Sequence, residues 1–323
     1  MGSYPITDDL LYALNAFGVS QDEISSVTPL DKLGINSKNL LVTRNEGRAS
    51  VVIKSQVDTP ESRIKIGLFH AANLQNLSTP SYTLNTQNNP FLSLNETLWT
   101  CQPYYTSPPY SGTEREWHLA ASSLATLDKW LKTQPSTTSL VRTSLYVPIQ
   151  ETARYDTFLE SQDSLSQFKD LIPACLTFIE QIKSTLKAEP TLQHLDLHPD
   201  NLLFTENNEA CILDSDSLCI VPQFSSASFA AHRFAINQSN MDPVVVMARF
   251  LAEYSNIEAI PVDAYQSVIQ LCAYEALCRI AYIINSYEKD QSSTWLFEIP
   301  KHFSIIKFIN QNETRILSEW LRQ

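Results

Sequence analysis

Over the first hundred residues short apolar runs alternate with turns; beyond residue 113 apolar positions recur mostly at helical spacing. Residues 8–17 have the pattern of a short amphipathic helix. Residues 40–43 and 50–54 are two β-forming runs around Asn45-Glu46-Gly47, which predicts a hairpin. Residues 61–77 set Ile64, Leu68, Ala71 and Leu74 on one helical face, and residues 91–100 read as a further strand. Residues 102–112 hold Pro103, Pro108, Pro109 and Gly112, which mark a connector. After it, residues 113–132 repeat apolar side chains at Trp117, Ala120, Leu124, Leu127 and Leu131. Residues 165–186 do so at Phe168, Leu171, Cys175, Phe178 and Ile182. From Pro243 the pattern is helical nearly to the end, with its longest run at 263–287. The predicted class is α+β: a small β-rich lobe (1–102), a connector (103–112) and a larger helical lobe (113–323).

Composition narrows this picture. A chain of 323 residues, 43% hydrophobic and 18% charged, is globular and has room for two packed domains. The net charge of -12 repels phosphate backbones, so no nucleic-acid partner is expected. Residues 1–109 hold 9 acidic and 7 basic side chains, and residues 110–323 hold 26 and 16, so -10 falls on the second part. Six cysteines without a CxxC pair suit reduced thiols in a cytoplasmic protein. The opening Met-Gly-Ser-Tyr-Pro lacks the basic and apolar regions of a leader. No run reaches the roughly 20 apolar residues of a membrane span, so no membrane partner is expected. With only 6 glycines, a nucleotide-binding loop cannot be glycine-rich; residues 33–37 are the one candidate before the hairpin.

The chemistry concentrates in His194-Leu195-Asp196-Leu197-His198-Pro199-Asp200-Asn201 and in Ile212-Leu213-Asp214-Ser215-Asp216. Residues 202–205 and 210–213 are apolar runs around a polar turn, a second hairpin signal. Pairing Thr205 with Ala210 would set Asn201 opposite Asp214. An amide oxygen and a carboxylate suit Mg²⁺, a hard ion that takes few protein ligands beside phosphate. Asp196, on the preceding loop, is placed to accept a proton from an attacking hydroxyl. That division of labour is the phosphoryl-transfer template.

The H-x-D-x-H-P-x-N stretch followed by I-L-D-x-D resembles the catalytic signature of aminoglycoside phosphotransferases, choline kinases and type II homoserine kinases. The resemblance implies a protein-kinase-like two-lobe fold and an ATP- and Mg²⁺-dependent enzyme that phosphorylates a small-molecule hydroxyl. It makes Asp196 the catalytic base and His194 the residue that orients the loop. It gives Asn201 and Asp214 to Mg²⁺, with Asp216 assisting through water. It also makes Lys54, at the end of the first hairpin, a contact of the nucleotide phosphates, with Glu61 as its acidic partner. The connector around Pro103 and Tyr105 becomes the adenine hinge: the carbonyl of one and the N–H of the other hold the base, since Pro103 has no N–H to give. The family usually has Gly where Leu195 stands.

Three rivals stay open on sequence: a pseudokinase or nucleotide-binding module, a kinase acting on protein side chains, and a metallohydrolase using His194, Asp196 and His198. The acceptor is not spelled out by any motif. The acidic second part favours an amine-bearing alcohol or amino sugar. His198 is expected to close its loop, Asp200 to be solvated, and Arg233 to be a possible neighbour of the site. The oligomeric state is not readable.

Overall fold

The computed structural model describes residues 4–30, 37–45, 47–135, 152–161, 165–166, 190–204, 210–237, 240–290 and 293–323. The chain divides into two compact units, 1–109 with 203–216, and 110–202 with 217–323. The segment carrying Asp214 and Asp216 thus belongs with the β-rich unit rather than with the helices around it in sequence.

The first unit is built on five antiparallel strands in the order β1-β2-β3-β5-β4. They are β1 (Ile24–Pro29), β2 (Ser37–Arg44), β3 (Val51–Val57), β4 (Leu92–Leu94) and β5 (Thr97–Pro103). The predicted hairpin is β2–β3, in which Lys54 sits opposite Asn39, and on the other side β3 pairs with β5, setting Lys54 opposite Thr100. The strand does not end at Lys54 but runs on to Val57. Helix α1 (Asp8–Ala16) starts where Thr7 Oγ1 accepts the Leu10 N–H. It buries Leu10, Ala13 and Leu14 with Val42, Ile53 and Trp99 in one apolar cluster.

The run 91–100 is not one strand: β4 and β5 are joined at Asn95 and Glu96, both with positive φ, a tight turn between antiparallel partners. Helix α2 (Pro60–Leu74), capped by Thr59, buries Lys65, Ile66, Phe69 and Ala72 rather than the 64-68-71-74 stripe, and Leu74 is exposed. On the buried face Ile66, Phe69 and Ala72 pack inward, and the Lys65 ammonium donates to the Asp216 carbonyl at 2.8 Å.

Strands β7 (Leu202–Phe204) and β8 (Ala210–Ile212) pair as a separate two-stranded sheet. Thr205, on which the expected register turned, lies outside the described residues. The β7–β8 segment is tied to the first unit by Phe204 N–H to Ser107 Oγ (2.9 Å) and Ile212 N–H to the Ser78 carbonyl (2.7 Å).

In the second unit, α3 (Glu114–Leu131) opens with a capping box between Thr113 and Glu116. It buries the whole predicted stripe, with Trp117 wholly enclosed; truncating it to Ala would cost about 3–5 kcal/mol. Helices α4 (Thr152–Ser161), α5 (Ser225–Ile236), α6 (Pro243–Ser255), α7 (Tyr265–Asp290) and α8 (Ile299–Trp320) follow. The expected helix over 165–186 lies outside the described residues beyond Ser166, and of the loop 33–37 only Ser37, the first residue of β2, is described. Strands β6 (Pro190–His194) and β9 (Leu218–Pro222) pair antiparallel, with His194 opposite Leu218. Residues Val262–Lys289 are long and apolar enough to cross a membrane, contrary to the run-length reading. Of that window 89% is buried inside the protein, as in a core helix.

Candidate active site

In the first unit, Lys54 projects from the middle of a paired strand, so its backbone is fixed on both edges. Its ammonium meets Asp214 Oδ1 at 2.9 Å and Asp216 Oδ2 at 2.7 Å. Burial alone would weaken the charged amine, but Asp214 and then Asp216 outweigh it, and Lys54 is held above its ordinary pKa. Asp214 has φ of +65°, a left-handed backbone that Asp adopts more readily than most residues at a cost of about 1 kcal/mol. A short 3-10 turn, Ser215–Ser217, then aims Asp216 back at the same lysine. Tyr82 stands nearby; burial pushes its hydroxyl up to about 12, against a hydrogen bond with Ser215, so it stays neutral.

The two carboxylates remain about 30% exposed, at 31% and 29%, so a metal can reach them. Mg²⁺ is held by one or two carboxylates together with phosphate oxygens, and the Asp214–Asp216 pair fits that donor set. Among the described residues no group of three or more His, Cys, Asp or Glu gathers to hold a metal by protein ligands alone. Glu61 is exposed in the first turn of α2, and the described partners of Lys54 are the two aspartates instead. At the connector, Tyr104 N–H is taken by the Ser50 carbonyl (2.9 Å), and the Tyr105 hydroxyl shares a hydrogen bond with Ser81 (2.9 Å).

In the second unit the H-x-D stretch is anchored from below. His194 is wholly buried at the end of β6, and its N–H donates to Asp128 Oδ1 of α3 at 3.3 Å. Asp128 also accepts hydrogen bonds from the Ser226 hydroxyl and, at 3.1 Å, from the Tyr254 hydroxyl. Leu195 donates its N–H to the Ser217 carbonyl (3.0 Å) and buries its side chain with Cys219 and Val221, the apolar contact that a Gly would lack. His198 caps the turn Pro199–Asn201 by accepting the Asp200 N–H on Nδ1 (3.3 Å). That leaves Nε2 toward Asp196 Oδ2 at 3.8 Å. Asp200 itself is almost fully exposed. Asn201 gives its amide N–H to the Asp196 carbonyl (2.9 Å), which leaves Oδ1 as the atom suited to a metal. Asn201 lies in the second unit and Asp214 in the first.

Asp196 is the centre of this unit's charges. Its Oδ1 accepts Arg233 Nη2 at 3.1 Å and Arg279 Nη2 at 3.0 Å. Burial raises its pKa, but Arg279 and Arg233, then His198 and His194, overcome that and hold the carboxyl well below the usual range. Arg233 was a possible neighbour on sequence; Arg279 was missed, because an arginine in a long amphipathic helix carries no signal of its own. Asp128 was missed as well, though an Asp on the buried stripe of α3 was a visible clue.

The model of the phosphotransferase enzyme family matches residues 114–224. No curated protein sequence matches the chain. Among solved structures, an aminoglycoside phosphotransferase from Alicyclobacillus acidocaldarius subsp. acidocaldarius is similar with a TM-score of 0.66 and 12% identity, over 100% of this chain and 97% of that one. A microcompartment-associated aminopropanol kinase gives 0.68 and 14%, over 96% and 98%. A spectinomycin phosphotransferase, solved with ADP and spectinomycin, gives 0.63 and 14%, over 96% and 99%. The solved structures share the fold of this chain, and the family model covers the stretch that carries H-x-D-x-H-P-x-N.

Proposed function

We propose that this protein is an ATP- and Mg²⁺-dependent kinase that transfers the γ-phosphoryl group to a hydroxyl of a small molecule. The observation that carries the reading is the pairing of Lys54 with Asp214 and Asp216, a lysine on a central strand joined to two partly exposed carboxylates far along the chain. A cation of fixed position suits phosphate oxygens, and the carboxylates suit the metal that accompanies them. Mg²⁺, when bound, would neutralise charge on the phosphates; in the first unit Asp214 and Asp216 are the residues that would hold it. Pro103 and Tyr105 offer a backbone carbonyl and N–H to the base.

Asp196 takes the proton as the acceptor oxygen attacks the γ-phosphorus and the bond to the ADP oxygen breaks. With Oδ1 occupied by two guanidiniums, Oδ2 is the oxygen left to receive it. Asp196 is a weak base, which a loose phosphoryl-transfer transition state tolerates, because the attacking hydroxyl need not be deprotonated early. His194 fixes the loop through Asp128 and stays out of the chemistry.

The surplus of acidic residues beyond residue 109 favours an amine-bearing alcohol or amino sugar as acceptor. Aminopropanol and spectinomycin, named with two similar structures, belong to that class. A coupled ADP-release screen over amines, sugars and hydroxy acids with Mg·ATP tests the proposal. Alcohol-dependent ADP release supports it; nucleotide binding without turnover on any alcohol points to the pseudokinase reading.

A further inference from the structure

The charge immediately around Asp196 runs opposite to the charge of the surrounding chain. Arg233 on α5 and Arg279 on α7 bring two guanidiniums to one carboxylate, and both end on the same oxygen. Both are largely enclosed, with side chains 13% and 14% exposed. Each guanidinium also lies against the ring of Phe229, at 4.9 Å for Arg233 and 4.6 Å for Arg279. Phe229 is fully buried one helical turn before Arg233, so the ring is a rigid platform holding both forks side by side.

This clamp has capacity to spare. The Nε–H of Arg233 and of Arg279 are both buried with no acceptor among the described residues. These enclosed donors are out of a ligand's reach, and it is the 13% and 14% of the two side chains left exposed that an oxyanion can meet. Among the described residues two cations pair with the one carboxylate of Asp196, with Glu298 near Arg233 and Glu275 near Arg279. Glu298 is engaged with Lys301 at 3.0 Å, and Glu275 is fully buried, with burial pushing its carboxyl up to about 7. His232 and His302 are kept neutral by burial and by the arginines, and add no compensating anion.

We infer that Arg233 and Arg279 form the anion-holding part of the acceptor site, so that the phosphorylated hydroxyl belongs to a molecule bearing a small oxyanion, a carboxylate or a phosphate ester. This deepens the kinase reading and rests on it for the identity of the reacting group. A planar, bidentate fork is the side chain suited to such an anion. The acceptor's oxyanion shares the guanidiniums with Asp196, so an anionic acceptor both docks and loosens the hold on the base. An amine-bearing alcohol that also carries an oxyanion, a zwitterionic hydroxy amino acid, meets both the arginine pair and the acidic surplus around it.

The test pairs alcohols that differ in the anion: glycerate and glycerol phosphate against glycerol, and serine and homoserine against serinol and aminopropanol. Binding to the full chain in the presence of Mg·ADP is measured by calorimetry, and ADP release by the coupled assay. At least one anionic alcohol is expected to bind about tenfold or more tightly than its neutral or cationic counterpart. In Arg279→Gln and Arg233→Gln that preference disappears with KM for ATP unchanged, and Arg279→Lys restores part of it. The glycerate and glycerol phosphate arms distinguish carboxylate from phosphate. Preference for amines alone, binding of no anionic alcohol, a preference unaltered by both substitutions, or a rise in KM for ATP rather than for acceptor would each overturn the inference. Arginine-dependent binding of acids without ADP release on any alcohol would instead keep the anion site and remove the kinase reading.

Discussion

Asp214 Oδ1 lies 2.9 Å from Lys54 Nζ although 160 residues separate the two in sequence. The β7–β8 segment brings the carboxylate into the β-rich unit, and the left-handed φ at Asp214 turns it toward the lysine. A buried ammonium needs such a partner, and here it has two.

Replacing Lys54 by Ala leaves Asp214 and Asp216 without their shared cation. The variant is expected to lose about 10²-fold in kcat/KM for ATP, the scale seen when one charged donor to a transferring group is removed. Acceptor binding is expected to be unchanged. Steady-state kinetics in both substrates check this; a loss confined to acceptor affinity would move Lys54 out of the nucleotide site.

At Asp214 the side chain and the backbone can be separated. Asn tolerates the left-handed conformation nearly as well as Asp, whereas Ala does not. Asp214→Asn is therefore expected to fold with little change in Tm, while its affinity for Mg·ATP falls about tenfold or more. Asp214→Ala adds about 1 kcal/mol of backbone strain to the same binding defect. Titration of nucleotide at several metal concentrations, beside melting curves, distinguishes the two effects.

Asp196→Asn removes the proton acceptor and the partner of two enclosed guanidiniums at once. Turnover is expected to fall about 10²–10⁴-fold with nucleotide binding intact. Stability is expected to drop by about 3 kcal/mol, since breaking a buried ion pair strands the opposite charge. Because Arg279 and Arg233 hold the Asp196 pKa below its unfolded value, its contribution to stability is present above the unfolded pKa and is lost as pH falls toward the folded one. The wild-type rate should accordingly show no acid limb from this group between pH 5 and 8. A limb in that window that vanished in Asp196→Asn would contradict the arginine pairing.

Asp128 titrates in the other direction. Burial, only partly offset by the Ser226, His194 and Tyr254 hydrogen bonds, pushes its carboxyl up to about 7 from 3.8. A raised folded pKa means that its contribution is fully present below the unfolded value and is lost as pH rises through about 7. The Tm of wild type relative to Asp128→Asn is thus expected to decline between pH 4 and 7. Melting curves across that range check it, and a rising difference would contradict the burial argument.

What the sequence conveyed depended on whether a signal was local. The Trp117 to Leu131 stripe, the β2–β3 hairpin and the 194–201 and 212–216 stretches could be read because each is a contiguous pattern. The buried face of α2 could not, because two apolar stripes lie one residue apart and tertiary packing chose between them. The turn at Asn95-Glu96 was hidden inside a continuous β-forming run. Arg279 and Phe229 reach Asp196 through helix packing alone, and nothing near them in sequence says so. The acidity of the second part likewise said nothing of the cationic neighbourhood of its central carboxylate.

The most direct test of the central claim is Mg·ATP-dependent phosphoryl transfer to the acceptor panel, read as ADP release and as the product's gain of one phosphoryl group by mass spectrometry. The account predicts release that requires both metal and an alcohol, a product phosphorylated on that alcohol's hydroxyl, and a fall of about 10²-fold or more in Asp196→Asn. ADP release that no alcohol raises above hydrolysis, or a phosphorylated product formed at an undiminished rate by Asp196→Asn, would contradict it.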